Sequence, residues 1–93
     1  MTRRATLAVD IGGTKLATVL ASRDGTILHK RRLPTEASRG ADWGIARLIS
    51  MLRRTIQETD VAAHEIAGIG VACGSPMDAE RGIILGPPNL QTW

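Results

Sequence analysis

Ninety-three residues, 43% of them apolar, make one domain with a modest core and leave no room for a second. The net charge of +3 comes from Arg3, Arg4, the run Lys30, Arg31 and Arg32, and the pair Arg53 and Arg54, which are spread along the chain as solvated surface. Two tryptophans as the only aromatics, with no helix-turn-helix or zinc spacing, argue against nucleic acid, and the lone Cys73 argues against a disulfide framework and for a reducing, cytoplasmic compartment.

At the N-terminus the apolar stretch of residues 5–9 is cut by Asp10, too short for a secretory leader, and no apolar run approaches the about 18 residues of a membrane span. Residues 5–10 read as a buried strand. Residues 14–22 read as a second one, with Leu16, Thr18 and Leu20 alternating with Lys15, Ala17 and Val19, and Gly12 and Gly13 forming the hairpin turn between the two. Asp24 and Gly25 mark another turn. Residues 26–33 then make a third strand that carries His29 to Arg32 toward solvent and stops at Pro34.

From Asp42 to Glu58 the period changes. Ile45, Leu48, Ile49, Leu52 and Ile56 share one face, with Arg47, Arg53, Arg54 and Glu58 on the other, so the spacing predicts an amphipathic helix packed on the sheet and capped by Asp42 or Ser38. Residues 66–72 form a continuous apolar strand, as expected where both faces are covered, and the helical crossover before it favours parallel pairing. Residues 73–76 end that strand, followed by a short extended piece at residues 82–85 and a loop at Pro87 and Pro88. The order is β-β-β-α-β, an α/β arrangement with no second helix for the other face of the sheet.

The most informative stretch is Asp10, Ile11, Gly12, Gly13, Thr14 and Lys15. A carboxylate at a strand end can hold a metal ion through its water shell. Glycines let the backbone approach a ligand or take positive φ, and their N–H groups suit anionic oxygens. This is the chemistry of a phosphate and Mg²⁺ cradle, and an ordinary Gly-Gly hairpin explains the same residues about as well. It is not a P-loop, because the Gly-x4-Gly-Lys spacing is missing. Gly68 and Gly70 do not open a dinucleotide fingerprint: the third glycine, Gly74, comes one place late and Pro76 stands where a helix should begin. Cys73 reads as an inert small hydrophobe, and His29 and His64 as solvated side chains without partners. Gly74, Ser75, Pro76, Met77 and Asp78, followed by Gly82 and Asn89, fall where open α/β sheets bind ligands, outside the carboxyl end of a parallel strand.

Taken in order, Val9 to Lys15, the Asp24-Gly25 turn, Gly68 to Val71, Gly74 to Asp78, Gly82 to Leu85 and the Pro88, Asn89, Leu90 and Trp93 segment resemble the N-terminal lobe of the ROK family, which groups sugar kinases with sugar-responsive repressors. The first block is shared more widely with actin-like ATPases of the ribonuclease-H-like fold. The resemblance implies that residues 1–93 are an incomplete N-terminal sugar-kinase lobe of that fold, with the C-terminal lobe absent. It implies transfer of the ATP γ-phosphate to a sugar hydroxyl in the manner of a glucokinase. Asp10, Gly12, Gly13, Thr14 and Lys15 would then face ATP and Mg²⁺, with Asp10 on the metal, while Gly74, Ser75 and Asn89 would lie along the sugar. The general-base aspartate, the other sugar contacts, the adenine pocket and the zinc motif are expected beyond Trp93, so this chain should hold no catalytic residue and be inactive alone. Where ROK kinases often carry Pro-Gly-Pro, this chain has Gly74, Ser75 and Pro76. The alternatives are a sugar-sensing, non-catalytic ROK regulator, whose winged helix-turn-helix would precede Asp10, and another actin-like ATPase lobe. Neither nucleic acid nor membrane is an expected partner, and self-association through exposed surfaces is expected.

Overall fold

A computed structural model describes residues 4–74 and 77–84 of the chain. Strands β1 (Ala5–Ile11), β2 (Lys15–Ser22) and β3 (Ile27–Pro34) form an antiparallel meander. A 3-10 turn at Ala37–Arg39 leads into helix α1 (Ala41–Gln57). A second such turn, Ala63–Glu65, leads into β4 (Ile66–Cys73), which joins β1 in parallel and gives the sheet order β3-β2-β1-β4. Two short strands, β5 (Met77–Asp78) and β6 (Ile83–Ile84), make a separate antiparallel hairpin.

Side-chain alternation sets the two faces. Ala5, Leu7, Val9 and Ile11 of β1 are buried under α1, whereas Thr6, Ala8 and Asp10 point to the opposite, open face. Leu16, Thr18 and Leu20 of β2 are fully buried on the helix side. Val9, Ile11, Leu16, Leu48 and Met51 form one core cluster and Ala5, Leu7, Leu20 and Val61 another, with Leu52 packed against both. Each large aliphatic buried there is worth about 1.5–3 kcal/mol before entropy. Inside this core the hydroxyls of Thr18 and Thr55 pair at 3.3 Å, so neither is left without a partner.

Several expectations need correction. The helix turns a different sector inward. Gly44, Leu48, Met51 and Thr55 are its buried residues, Leu52 and Ile56 are half-buried, and Ile45 and Ile49 are each 45% exposed. That sector packs Leu48 and Met51 against Val9, Ile11 and Leu16 and brings Thr55 to Thr18 of β2. Its start is not capped by Asp42 or Ser38: the N-cap is Gly40, at φ 89°, because Ser38 is taken into the preceding turn. Asp42 still lies in the first turn, where its charge suits the helix dipole.

Strand β4 is not covered on both faces. It forms the sheet edge beyond the reach of α1, and Ile69 and Val71 are each 55% exposed. Nor do His29 to Arg32 all face solvent. Strand alternation sends His29 and Arg31 to Glu58 just past the end of α1, His29 Nε2 lying 3.2 Å from its carboxylate and Arg31 donating to the same oxygen. Desolvation pushes Glu58 up, but the Arg31 charge, the hydrogen bonds from His29 and Arg31 and the Arg54 charge together outweigh it and hold the carboxyl below the usual carboxylate range. Pro34 belongs to β3, paired with Lys15, and Thr14 lies in the loop before β2. Among the described residues, no helix is long and apolar enough to cross a membrane.

Candidate functional site

The carboxyl end of β1 carries the candidate site. Asp10 stands level with Ala17 of β2 and Ala72 of β4, exposed on the open face, while its neighbour Ile11 is buried. Both flanking side chains are small, so nothing bulky on those strands crowds its carboxylate. The chain then turns through Gly12, Gly13 and Thr14, and the Gly12 N–H donates to the Lys15 carbonyl at 3.0 Å to close the loop. A Cβ built on Gly12 would sit 2.9 Å from that carbonyl oxygen, so close approach dictates glycine here. Positive φ among the described glycines falls at Gly25, Gly40 and Gly82. The hairpin turn expected at Gly12 and Gly13 thus joins β1 to antiparallel β2 without a positive φ at either glycine. No backbone hydrogen bond among the described residues engages the N–H of Gly13 or Thr14, and Thr14 and Lys15 are exposed.

Strand β4 brings the rest. Cys73 pairs with Ile11 across the parallel ladder, so Gly74 leaves the sheet beside Gly12. Burial pushes the Cys73 thiol above its ordinary range and the Asp10 charge adds to the effect, which places these two groups within electrostatic reach. Asp10, Gly12, Gly13, Thr14, Lys15 and Gly74 thus gather at one end of the parallel pair, the crevice position of open α/β sheets. Ser75 and Asn89 lie outside the described residues. Gly68 and Gly70 sit within β4 and take no part in a turn.

Two contributors escaped the sequence reading. Thr35, fully buried at the end of β3, donates its hydroxyl to the Gly12 carbonyl at 2.6 Å and its backbone N–H to the Thr14 carbonyl at 2.8 Å. Glu36 follows in the left-handed region at φ 50°, and its carboxylate accepts from Arg39 Nε at 3.2 Å and Arg47 Nη1 at 2.8 Å. Both guanidinium groups stand 4.9 Å from the Trp43 ring centroid. The signal that could have found Thr35 is register. Counting outward from the Asp24-Gly25 turn sets Pro34 opposite Lys15 and the next residue beside Thr14.

The donor set is one carboxylate, one ammonium, one hydroxyl and the N–H groups of a glycine loop. Among the described residues no three His, Cys, Asp or Glu side chains cluster as a metal site. A hydrated Mg²⁺ that shares its shell with phosphate oxygens suits a single carboxylate, whereas an all-protein cation cage does not.

A model of the ROK family matches residues 6–93. The chain is 44% identical over 64 residues to an N-acetylmannosamine kinase from Escherichia fergusonii and 43% identical over 64 residues to an N-acetylmannosamine kinase from Escherichia coli. Either alignment takes in 66% of this chain and 22% of the relative. A crystal structure of a ROK family protein from Streptococcus pneumoniae, in complex with sucrose, superposes with a TM-score of 0.65 at 24% identity. It covers 95% of this chain and 27% of that one, and it shares the mixed α/β fold. The chain thus spans about a quarter or less of the length of the proteins it matches.

Proposed function

From the premise that this chain belongs to the ROK family, we propose that its residues form the phosphate-binding part of the N-terminal lobe of an ATP-dependent hexose kinase. The observation that carries this reading is the pairing of Asp10, exposed at the carboxyl end of β1, with a loop whose Gly12 has no room for a side chain. Phosphoryl transfer needs positioning and charge neutralisation more than covalent chemistry from the protein. The N–H groups of Gly13 and Thr14, the Thr14 hydroxyl and the Lys15 ammonium are the donors for phosphate oxygens. Asp10 would hold Mg²⁺, which supplies neutralisation of the phosphate charge when bound. Gly74, Ser75 and Asn89 would lie along the sugar. The glucokinase type is the reading the sequence motifs suggest, and the identity to N-acetylmannosamine kinases supports a 2-acetamido hexose as a second candidate substrate.

The test is ADP release by the full-length protein with Mg·ATP and either glucose or N-acetylmannosamine. One of the two sugars is expected to drive turnover, and Asp10→Asn to lower kcat by about 10²-fold or more, the scale of losing one preorganised electrostatic contact. Sugar binding with no ATP-dependent turnover would favour the regulator. A protein that binds neither nucleotide nor sugar refutes the reading.

A further inference from the structure

We propose that Thr35 is a positioning residue of the phosphate loop, one that aims the Gly13 N–H at the bound anion; this rests on the kinase reading above. The peptide unit between Gly12 and Gly13 is planar and trans, so its C=O and its N–H point in opposite directions. The Thr35 hydroxyl holds that C=O at 2.6 Å from the buried side. The Gly13 N–H is thereby directed away from Thr35, and the two residues that follow it, Thr14 and Lys15, are exposed. The same residue fixes a second peptide unit, because its backbone N–H holds the Thr14 carbonyl at 2.8 Å. With the Gly12 N–H closed onto the Lys15 carbonyl, both of the Gly12 backbone polar groups and the Thr14 carbonyl are committed inside the fold. What remains from the backbone of Gly13 and Thr14 is two N–H donors and the Gly13 carbonyl, so donors outnumber acceptors, the polarity a phosphate requires.

Thr35 is itself held in place. Pro34, its predecessor, pairs with Lys15 in the β2–β3 ladder. Glu36, its successor, lies in the left-handed region, and its carboxylate accepts from Arg47 of α1 and Arg39 of the turn before it. The hydroxyl therefore belongs to a rigid frame built by β3 and α1, outside the loop it orients. Nothing in the arrangement brings Thr35 to the ligand, so its effect on binding runs through the peptide planes alone.

The experiment uses the full-length protein, with Mg²⁺ and inorganic triphosphate as the probe, and reads both affinity and the amide spectrum. Thr35→Val keeps the shape and removes the hydroxyl, whereas Thr35→Ser keeps the hydroxyl. Triphosphate affinity is expected to fall by about three- to tenfold in Thr35→Val, the worth of one hydrogen bond, and to be restored in Thr35→Ser. Adenosine, which lacks phosphates, should bind all three proteins alike, an outcome that a general loss of structure would not give. If Thr35→Val does not fold, the parent decides: its Gly13 amide resonance should be among those most displaced by triphosphate. Equal triphosphate affinity in parent and Thr35→Val, or a Gly13 amide unmoved while triphosphate binds, overturns the role of Thr35 and leaves the kinase reading standing. Failure of the parent to bind triphosphate overturns both.

Discussion

Replacing Gly12 with alanine tests the loop at its tightest point. The added Cβ would lie 2.9 Å from the Lys15 carbonyl oxygen, nearer than a carbon and an oxygen tolerate, and that oxygen accepts the Gly12 N–H at 3.0 Å. The neighbour is backbone in the first paired position of β2, so relief requires opening the loop and lengthening that bond. Overpacking of this kind costs about 1–3 kcal/mol, and the weakened hydrogen bond up to about 1.5 kcal/mol more. Alanine's smaller unfolded-state entropy returns about 0.4–1 kcal/mol. A net loss centred on about 2 kcal/mol is expected in denaturant unfolding, and on the proposed kinase reading Mg·ATP binding weakens as well, because the donors of Gly13 and Thr14 move with the loop. Gly68→Ala is the control: a Cβ there meets nothing within 4 Å, and alanine in a strand should be neutral or stabilising by up to about 1 kcal/mol. If Gly12→Ala unfolds at the parent's midpoint and binds nucleotide as the parent does, close approach is not what demands glycine.

Asp24 is held down to about 2, first by the Ser22 hydroxyl and then by the Thr26 N–H. A depressed carboxylate stabilises the fold above its unfolded pKa of about 3.8 and loses that contribution as pH falls toward 2, so Ser22→Ala should flatten the pH dependence of unfolding in that window. Thr55→Val leaves the Thr18 hydroxyl buried without a partner and should cost about 1–3 kcal/mol, while Thr18→Val with Thr55→Val should cost less than the two single changes added together; strict additivity would refute the pairing. Asp10→Asn removes a charge that raises the Cys73 pKa, so Cys73 should alkylate faster at fixed mildly alkaline pH. An unchanged or slower rate would contradict the closeness of the two groups.

The parts of the fold that were legible in sequence are those governed by short-range rules. The strand at β1, the alternation in β2 and the Asp24-Gly25 turn follow from neighbours a few positions apart, as does the switch to a helical period near Asp42, whereas β1, expected to be buried, exposes Thr6, Ala8 and Asp10 on its open face. The parallel pairing of β4 was legible as well, because a crossover long enough to hold a helix favours it. What was not legible depends on partners far apart in the chain. The helix's inward sector is not legible because Ile45 and Ile49 are as apolar as Leu48, and the partners that distinguish them, Val9, Ile11 and Leu16 for Leu48 and Met51 and Thr18 for Thr55, lie far away in the chain. His29 and Arg31 read as solvated until the helix end delivered Glu58 to them. In the site, Asp10 to Lys15 stood out because their chemistry is local, while Thr35 is 23 positions from Gly12 and carries no motif.

The two guanidinium groups over Trp43 also give the loop an optical readout. The chain has no tyrosine or phenylalanine and only two tryptophans, so its near-ultraviolet emission is an indole signal. Positive charge above an indole shifts its excited-state energy, and the charges above Trp43 are tethered to Glu36, the residue next to Thr35. Movement of the Gly12 to Thr14 loop that reaches Thr35 will therefore displace those charges and alter the colour or intensity of Trp43. With Trp93 replaced to remove the second indole, Trp43 alone then reports on the Gly12 to Thr14 loop without a dye.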